Sequence, residues 1–385
     1  MPASARSSPG TPNRLARARA RLLGQGAPLV DLADSNPTNH QLLPPQVLDA
    51  VARAAHLAGR YSPHPRGALP AREALAASFG GSPDDYWLTA STSEAYSWLF
   101  QLLADPGGRI GLPTPGYPLI EPLAALAGLG TAPYRTFYVH PSGWEFDLES
   151  FDRAAAWAKA MIVVNPNNPT GQYLDAAGPA VDELCARHGV PLIADEVFWP
   201  FALERDQPPA PSAEPAPNHS PQATVFHLSG LSKLLAAPQL KLAWIRLAGP
   251  DAGQYEAALD QLADTFLSAN GVVQAALPEL LALMPQTVDD INRRLAANLR
   301  TARALPDGFR VRRCDGGWTL LVDAPPVSDD LALDMLERAH LITHPAWFYD
   351  LDAPNTVALS LLPEPARFKE QLDRFAQAVM DMSGD

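Results

Sequence analysis

The sequence predicts an α/β fold, a three-layer sandwich whose mostly parallel central sheet is followed by a smaller mixed α/β domain. Residues 160–164 (AMIVV) and 190–194 (VPLIA) are short apolar runs without polar alternation, which is typical of parallel strands buried on both faces. A helical pattern separates these runs, and polar residues follow each run directly. Ligands of such doubly wound sheets bind beyond the carboxyl ends of the strands, so a functional site is expected there.

The other elements follow from periodicity and from turn residues. Apolar residues at helical spacing predict helices, and prolines and glycines mark the loops between them. The predicted helices cover residues 12–23, 44–57, 71–79, 95–103, 119–126, 151–157, 181–187, 255–268, 272–283 and 288–305. The predicted strands cover residues 29–32, 87–89, 109–112, 136–139, 160–164, 190–194, 225–228, 242–247, 309–312, 318–322 and 356–361.

The chain of 385 residues is long enough for two domains. We predict a large domain over residues 46–270 and a small C-terminal domain over residues 271–385, which the N-terminal segment 1–45 joins. Residues 207–222 are polar and rich in proline, and this composition predicts a mobile surface loop.

Composition excludes several classes of protein. The net charge of −13 argues against nucleic acid as a partner, because a phosphate-binding face needs clustered cations. No run of eighteen apolar residues is present, so no membrane span is predicted. The two cysteines indicate a reducing compartment such as the cytoplasm. Residues 1–30 are rich in arginine, which fits either a transit peptide or a frayed tail with a short helix.

A cluster of small hydroxyl residues precedes the helix predicted from residue 95. Residues 90–94 (ASTSE) follow a strand end, and a strand, turn and helix in this order leave free backbone N–H groups that bind anions. Simple N-capping by Ser91 or Thr92, with Glu94 as the capping-box acid, explains the same residues. Because one structure can serve both purposes, Ser91, Thr92 and Ser93 are candidates for a phosphate site.

The segment 228–233 (LSGLSK) ends in Lys233, and Lys241 follows eight positions later. A lysine amine condenses with an aldehyde, and hydroxyl and glycine neighbours suit a phosphate. The segment therefore suits a cofactor that carries both groups, whereas the alternative is an ordinary surface lysine at a strand end. The motifs upstream favour the cofactor.

Three motifs together resemble the class I/II aminotransferases, which are pyridoxal-phosphate enzymes of fold type I. These motifs are residues 165–171 (NPNNPTG), the pair Asp195 and Glu196, and the pair Ser232 and Lys233 followed by Lys241. The resemblance extends from about residue 31 to the C-terminus. It implies ping-pong transfer of an amino group from a small amine donor to a keto acceptor.

The resemblance implies a role for each residue near the cofactor ring. Lys233 forms an imine with pyridoxal 5'-phosphate and then shuttles a proton. Asp195 keeps the pyridine nitrogen protonated, so that the ring acts as an electron sink. Asn168 donates to the phenolic oxygen, and Tyr117 stacks on the ring face. Each of the last three residues has a simpler alternative. Asp195 could be a solvated carboxylate at a strand end, Asn168 a turn residue and Tyr117 a core residue.

The resemblance also implies a phosphate site and an oligomeric state. The phosphate is expected to bind Ser91, Thr92, Ser93, Ser232 and Lys241. Tyr61 corresponds to a tyrosine that reaches the phosphate of the neighbouring subunit, which implies a homodimer with sites at the interface. Local packing of the loop at residues 61–70 is the alternative for Tyr61.

Three positions near the cofactor depart from the family pattern. Lys241 stands where the family has an arginine, which keeps the charge and loses the bidentate fork. Phe198 stands where many members have a tyrosine that bonds the phenolic oxygen, so Asn168 is left alone for that contact. Gly230 stands where a serine is common.

The largest departure concerns the substrate. The segment 357–360 (VALS) aligns with a strand of the family whose arginine binds the substrate α-carboxylate, and Ala358 occupies the place of that arginine. A bidentate contact of this kind is strong and hard to replace. Either another arginine supplies it, with Arg66 and Arg135 as candidates, or the substrate amine carries no α-carboxylate in the usual position.

Two other functions compete with the aminotransferase. A lyase on the same scaffold would eliminate a group from Cβ of an amino acid, and the cofactor motifs do not separate the two chemistries. A cofactor-binding sensor domain of a transcriptional regulator is the third, but residues 1–30 are too short for a DNA-binding helix-turn-helix and the charge is acidic. The aminotransferase is the leading hypothesis.

Overall fold

The computed structural model describes residue 6, residues 10–205 and residues 221–383. All but the last two residues of the predicted 207–222 loop lie outside this part. Within it, the α-helices are α1 (Arg14–Gly24), α2 (Pro45–Ala54), α3 (Leu69–Phe79), α4 (Thr92–Leu103), α5 (Ile120–Leu126), α6 (Leu148–Ala155), α7 (Gly178–His188), α8 (Leu231–Leu234), α9 (Gly253–Phe266), α10 (Gly271–Ala282), α11 (Met284–Arg303), α12 (Leu331–Ala339) and α13 (Pro365–Ser383). The strands there are β1 (Val30–Asp31), β2 (Tyr86–Thr89), β3 (Arg109–Thr114), β4 (Gly130–Val139), β5 (Gly143–Phe146), β6 (Ala160–Val164), β7 (Leu192–Asp195), β8 (Val225–Gly230), β9 (Ala243–Ala248), β10 (Arg310–Val311), β11 (Thr319–Asp323), β12 (Leu341–Ile342), β13 (His344–Pro345) and β14 (Thr356–Ser360).

Eight strands form the large sheet, in the order β2-β9-β8-β7-β6-β3-β4-β5. Neighbours from β8 to β4 run parallel, whereas β9 and β5 run antiparallel to the strands beside them. The carboxyl ends of β3, β6, β7 and β8 therefore meet at one edge of the sheet. The polar residues that follow these strands in the sequence are brought to that edge.

Strand β6 shows why the sheet is covered on both faces. Ile162 and Val164 pack into a cluster with Trp87, Trp98 and other residues on one face. Met161 and Val163 pack into a second cluster on the opposite face with residues of α6 and α7. Because both faces are buried, an uninterrupted apolar run is the pattern that such a strand requires.

A second sheet of four antiparallel strands has the order β10-β11-β14-β13. Its core includes Leu320, Val322 and Leu359 and packs against α11 and α13. The short strand β1 pairs in parallel with β12, which ties the N-terminal segment to this part of the chain. The predicted division at residues 45 and 270 stays a prediction.

The fold class predicted from the sequence is confirmed, with differences in single elements. Strand β5 and the helices α12 and α13 were not predicted. Strand β4 begins at Gly130 rather than at residue 136. Its first half was not predicted because exposed residues alternate with buried ones along the strand. Helix α11 begins at Met284 because Pro285 occupies its first turn, where no N–H is needed. In the described residues, no helix has the length and apolarity needed to span a membrane.

Candidate active site

A cavity of about 690 Å³ lies at the carboxyl ends of the parallel strands, where the loops after these strands meet the second sheet. This is the position expected for a doubly wound sheet. Nine of the ten site residues predicted from the sequence line the cavity: Ser91, Thr92, Ser93, Tyr117, Asn168, Asp195, Ser232, Lys233 and Lys241. We call these nine residues the cofactor half of the cavity.

Lys233 belongs to the short helix α8, directly after β8. Its side chain is partly accessible from the cavity, and the surrounding protein lowers the pKa of Lys233 to about 8, against an opposing effect of the Asp195 charge. The ammonium lies 4.8 Å from the ring centroid of Trp318 and 5.3 Å from that of Phe198. In the described part of the chain, no carboxylate pairs with it. Lys233 is therefore a desolvated amine that loses its proton more easily than an exposed lysine.

Gly230, one of the departures, has a packing explanation. A Cβ at this position would lie 2.8 Å from Cβ of Ala243 and 3.1 Å from the carbonyl oxygen of Leu242. Strand β9 therefore approaches β8 too closely for a side chain just before the lysine. A serine at this position would require one of the two strands to shift.

Asp195 is the last residue of β7 and is buried. Burial raises the pKa of Asp195 to about 6, while two hydrogen bonds and the charge of Lys233 oppose the rise. Tyr96 Oη donates to Oδ2 at 2.9 Å, and the backbone N–H of Val197 donates to Oδ1 at 3.2 Å. The following residue, Glu196, pairs instead with Nδ1 of His227 at 3.1 Å. Only the first carboxylate of the Asp195–Glu196 pair therefore lines the cavity.

Tyr96 was missed in the sequence. It lies on α4, one turn after Thr92, and its side chain is buried among apolar residues. A tyrosine on the buried face of a helix needs a partner for its hydroxyl, and this is the signal that points to it.

The loop after β6 uses its three asparagines differently. Asn165 Oδ1 accepts from the N–H of Leu174 at 2.9 Å, and Asn167 Nδ2 donates to the carbonyl of Pro115 at 3.0 Å. Asn168 faces the cavity, and its buried Oδ1 has no hydrogen-bond partner among the described residues. Gly171 closes the loop with φ +72°, where a Cβ would lie 2.6 Å from the carbonyl oxygen of Gly316. Oδ1 of Asn167 also lacks a partner among the described residues, so Asn168 is the one of the three asparagines that brings an unsatisfied amide oxygen to the cavity.

The start of α4 combines a cap with a free end. Ser91 Oγ accepts from the N–H of Glu94 at 3.2 Å, so the capping interpretation is confirmed for Ser91. Glu94 Oε2 accepts from the N–H of Ala90 at 2.6 Å, one residue before the position of a capping box. The remaining N–H groups of the first turn lack intrahelical acceptors. Lys241 is exposed and has no carboxylate partner in the described residues, so one end of the cavity is positive.

The tenth residue, Tyr61, does not line this cavity. Its side chain is 80% exposed and borders a separate cavity of about 560 Å³ beside the start of α10. Tyr61 therefore has no contact with Lys233 within one chain.

The second sheet supplies the other wall of the cavity. Thr319, His344, Tyr349, Ala358 and Ser360 line it, and we call these five residues the substrate half. Ala358 is buried and lies between Leu321 on β11 and His344 on β13. His344 Nδ1 and Tyr349 Oη are hydrogen bonded at 3.0 Å. Neither His344 nor Tyr349 was predicted from the sequence.

Neither of the two arginines considered as replacements lies at this wall within one chain. Arg66 binds the carboxylate of Asp260 through Nε at 2.7 Å and also pairs with Glu256, away from the cavity. Arg135 lies on β4 with an exposed side chain. Among the described residues that line the cavity, no arginine is present.

Phe198, another departure, packs on the second sheet. Its ring meets Trp318 edge to face, with centroids 5.5 Å apart. An apolar ring therefore joins the site loop to the core of the second sheet. A hydroxyl at this position is not required by the packing.

Known proteins resemble this chain in sequence and in fold. The S-alkyl-thiohydroximate lyase SUR1 of Arabidopsis thaliana is 33% identical over 229 residues, which is 56% of this chain and about half (48%) of that protein. The probable aminotransferase TAT3 of the same plant is 27% identical over 358 residues, 86% of this chain and 78% of that protein. A solved structure of a double mutant of the aspartate aminotransferase of Thermus thermophilus is 25% identical, with a TM-score of 0.81 over 98% of this chain and 100% of that chain.

The family profile covers almost the whole of the chain. Residues 27–375 match the family described as aminotransferase class I and II. The match includes the asparagine loop, Asp195 and Lys233, which are the motifs on which the resemblance was based. The predicted membership is confirmed, and the chain belongs to the class I and II aminotransferase family.

Proposed function

We propose that the protein is a pyridoxal-phosphate-dependent aminotransferase that moves an amino group from an amine donor to a carbonyl acceptor. One observation carries the proposal: Lys233 and Asp195, a desolvated amine and a buried carboxylate, line one cavity whose positive end is a helix N-terminus. Perturbed groups of opposite sign in a single cavity are typical of an active site.

The residues present fit this cofactor. Neither Oδ1 nor Nδ2 of Asn168 has a hydrogen-bond partner among the described residues, so its amide N–H is available to donate, and the Asp195 carboxylate has no cation in direct contact among these residues. Lys233 would hold the cofactor covalently, Asp195 would pair with its ring nitrogen, and Asn168 would donate to its phenolic oxygen. Its phosphate would bind Thr92, Ser93, Ser232 and Lys241 at the start of α4.

When bound, pyridoxal phosphate supplies an electron sink for the electrons left on the substrate when Cα loses its proton. Asp195 holds a proton on the ring nitrogen, because a carboxylate in this buried position stabilises a neighbouring cation strongly. The Lys233 amine moves the proton from Cα, and its lowered pKa of about 8 keeps part of it neutral near pH 7. Tyr117 lines the same cavity and would stack on the ring face.

A lyase acting at Cβ is a second candidate, since one relative with 33% identity is named as an S-alkyl-thiohydroximate lyase. Both reactions need the same proton removed from Cα, so the cofactor half serves either. Release of pyruvate and ammonia from a β-substituted alanine, without amine transfer, would favour the lyase.

We further propose a homodimer in which Tyr61 completes the site of the partner subunit. The proposal is supported by the exposure of Tyr61 beside an open cavity. Mixing Lys233→Ala with Tyr61→Ala protomers should restore about a quarter of wild-type activity, since random pairing gives hybrids in half of the dimers and each has one intact site. No recovery in verified hybrids would contradict the assignment of Tyr61.

A cytoplasmic location stays a proposal, supported by the unpaired and buried cysteines Cys185 and Cys314. Cell fractionation tests it directly. Detection of the protein only in a secreted fraction would contradict it.

Reduction with borohydride tests the cofactor assignment. The protein loaded with pyridoxal phosphate should show the visible absorbance of the bound cofactor, and reduction should fix the cofactor to the peptide that contains Lys233. Lys233→Ala should abolish this labelling. Lys241→Ala is the matched control, because it should weaken cofactor affinity while the label still appears at Lys233. Labelling of the Lys233→Ala protein at another residue would contradict the proposal.

A further inference from the structure

The wall formed by the second sheet has an unusual charge balance for an amino acid site. The positively chargeable residues that line the cavity in the described part of the chain are Lys233, Lys241 and His344. Lys233 and Lys241 are assigned to the cofactor. His344 is therefore the remaining group at the substrate half that could carry a positive charge.

His344 and Tyr349 form a neutral pair. Burial lowers the pKa of His344 below its ordinary value of 6.5, with the charges of Asp31 and Arg19 acting in opposite directions. Burial also raises the pKa of Tyr349. Both shifts favour the uncharged imidazole and the uncharged phenol, and Nδ1 of His344 is hydrogen bonded to Oη of Tyr349 at 3.0 Å. This pair offers dipoles and no net charge to a ligand.

The residues around Ala358 also leave this wall without a net charge. The register of β13 and β14 places His344 directly opposite Ala358, and Tyr349 packs in a small cluster with Leu321 and Ala358. The space beside Ala358 is thus occupied by Tyr349 and a neutral imidazole. A carboxylate brought to this wall would lose water without gaining a cation from the described residues that form it, which is costly.

Aromatic surfaces accompany this neutral wall. Phe198, Trp318 and Phe348 line the cavity close to the lysine and the histidine, and the Phe348 ring lies 5.1 Å from that of His344. The buried indole N–H of Trp318 has no acceptor among the described residues. Such a surface suits an aromatic or apolar substituent that carries at most a neutral oxygen.

Resting on the proposed function, we propose that the amine donor is a primary amine with no carboxylate on the reacting carbon, and that His344, Tyr349 and Ala358 determine this specificity. The donor R–CH2–NH2 becomes the aldehyde R–CHO, and a carbonyl acceptor R'2C=O becomes the amine R'2CH–NH2. The nitrogen and two electrons pass from donor to acceptor through the cofactor, so the exchange needs no further oxidant or reductant.

Donor pairs that differ only by the carboxylate test the inference in the wild-type holoprotein. Stopped-flow spectra of the half-reaction should give a value of kcat/KM for 2-phenylethylamine about tenfold or more above that for L-phenylalanine, because the amino acid would leave a buried charge unpaired. Equal rates, a preference for L-phenylalanine, or no reaction with either donor would overturn the inference. Labelling of Lys233 by borohydride decides separately on the proposed function.

A binding measurement and a charge-introducing variant complete the test. Titration calorimetry should show tighter binding of 3-phenylpropanamide than of 3-phenylpropanoate, and the reverse order would overturn the inference.

Ala358→Arg should invert both preferences, whereas the matched neutral variant Ala358→Leu should not. If the arginine variant does not fold, His344→Arg introduces the cation on the neighbouring strand, where the side chain is less buried. A folded cationic variant with unchanged preferences would also overturn it.

Discussion

The cofactor half and the substrate half of the cavity differ in how their polar groups are compensated. In the cofactor half, Lys233 and Asp195 are ionisable groups whose burial moves their pKa values towards the neutral forms, and Asn168 has an unused amide oxygen. In the substrate half, His344 and Tyr349 satisfy each other, and Ala358 contributes no polar group. Among the described residues, the first half has ionisable groups without a counter-ion, whereas the two titratable groups of the second are hydrogen bonded to each other.

This difference indicates what each half recognises. Unpaired buried groups cost folding free energy, about 1.4 kcal/mol for each unit by which a pKa is shifted. A charged ligand that pairs with them recovers this energy on binding. A balanced neutral pair gains nothing from a charge, so the substrate half selects by shape and dipoles. Substitutions in the cofactor half should therefore affect all donors alike, and those in the substrate half should change the ratio between donors.

Asp195→Asn should produce the largest effect. We expect kcat/KM to fall by about a thousandfold or more, equivalent to about 4 kcal/mol, because an amide does not keep the ring nitrogen protonated. The loss should be the same for 2-phenylethylamine and for L-phenylalanine. Steady-state assays with both donors measure it. A loss confined to one donor would mean that Asp195 also belongs to the substrate half.

The stability of the Asp195→Asn protein separates chemistry from folding. The folded pKa of Asp195 is about 6, above the ordinary value of 3.8, so the carboxylate destabilises the ligand-free protein at pH 7 and less so as pH falls. The ligand-free variant should therefore melt no lower than the wild type. Glu196→Gln is the matched control, because Glu196 pairs with His227 outside the cavity and should leave kcat/KM nearly unchanged.

The fold was largely predictable because the strongest signals are local. Strand β6 is apolar along its whole length since both faces are buried, and the sequence pattern states this directly. The start of β4 was missed because its exposed residues interrupt the apolar pattern. Helix α13 was also missed, although Phe368, Leu372 and Phe375 recur at helical spacing on its buried face.

The site residues that could be predicted lie close in sequence to the end of the strand that positions them. Asp195 is the last residue of its strand, and Asn168 and Lys233 follow theirs by a few residues, so that all three reach the cavity at the carboxyl ends of strands. His344 was not predictable in this way, because it is brought to Ala358 by a strand register between residues fourteen positions apart. Long-range pairing of this kind is set by packing and leaves little trace in a single sequence.

Tyr96→Phe should have a smaller effect within the cofactor half. The hydroxyl of Tyr96 donates to Asp195 and lowers the pKa of that carboxyl, so its removal should raise that pKa further above about 6. Cofactor binding needs the ionised carboxylate, and below its pKa the affinity falls about tenfold for each pH unit. Cofactor affinity in the variant should therefore begin to fall at a higher pH, with a loss of about tenfold near pH 6 relative to the wild type.

Tyr134→Phe is the matched control for this effect. Tyr134 is equally buried, and its hydroxyl donates to the carbonyl of Ile162 at 2.9 Å rather than to Asp195. Its removal should cost about 1 kcal/mol of unfolding free energy and leave the pH profile of cofactor affinity in place. Fluorescence titration with pyridoxal phosphate from pH 5 to pH 8 compares the three proteins. If cofactor affinity begins to fall at the same pH in Tyr96→Phe and in the wild type, Tyr96 only packs α4 against the sheet. A shift restricted to Tyr96→Phe makes it a positioning residue that acts through Asp195.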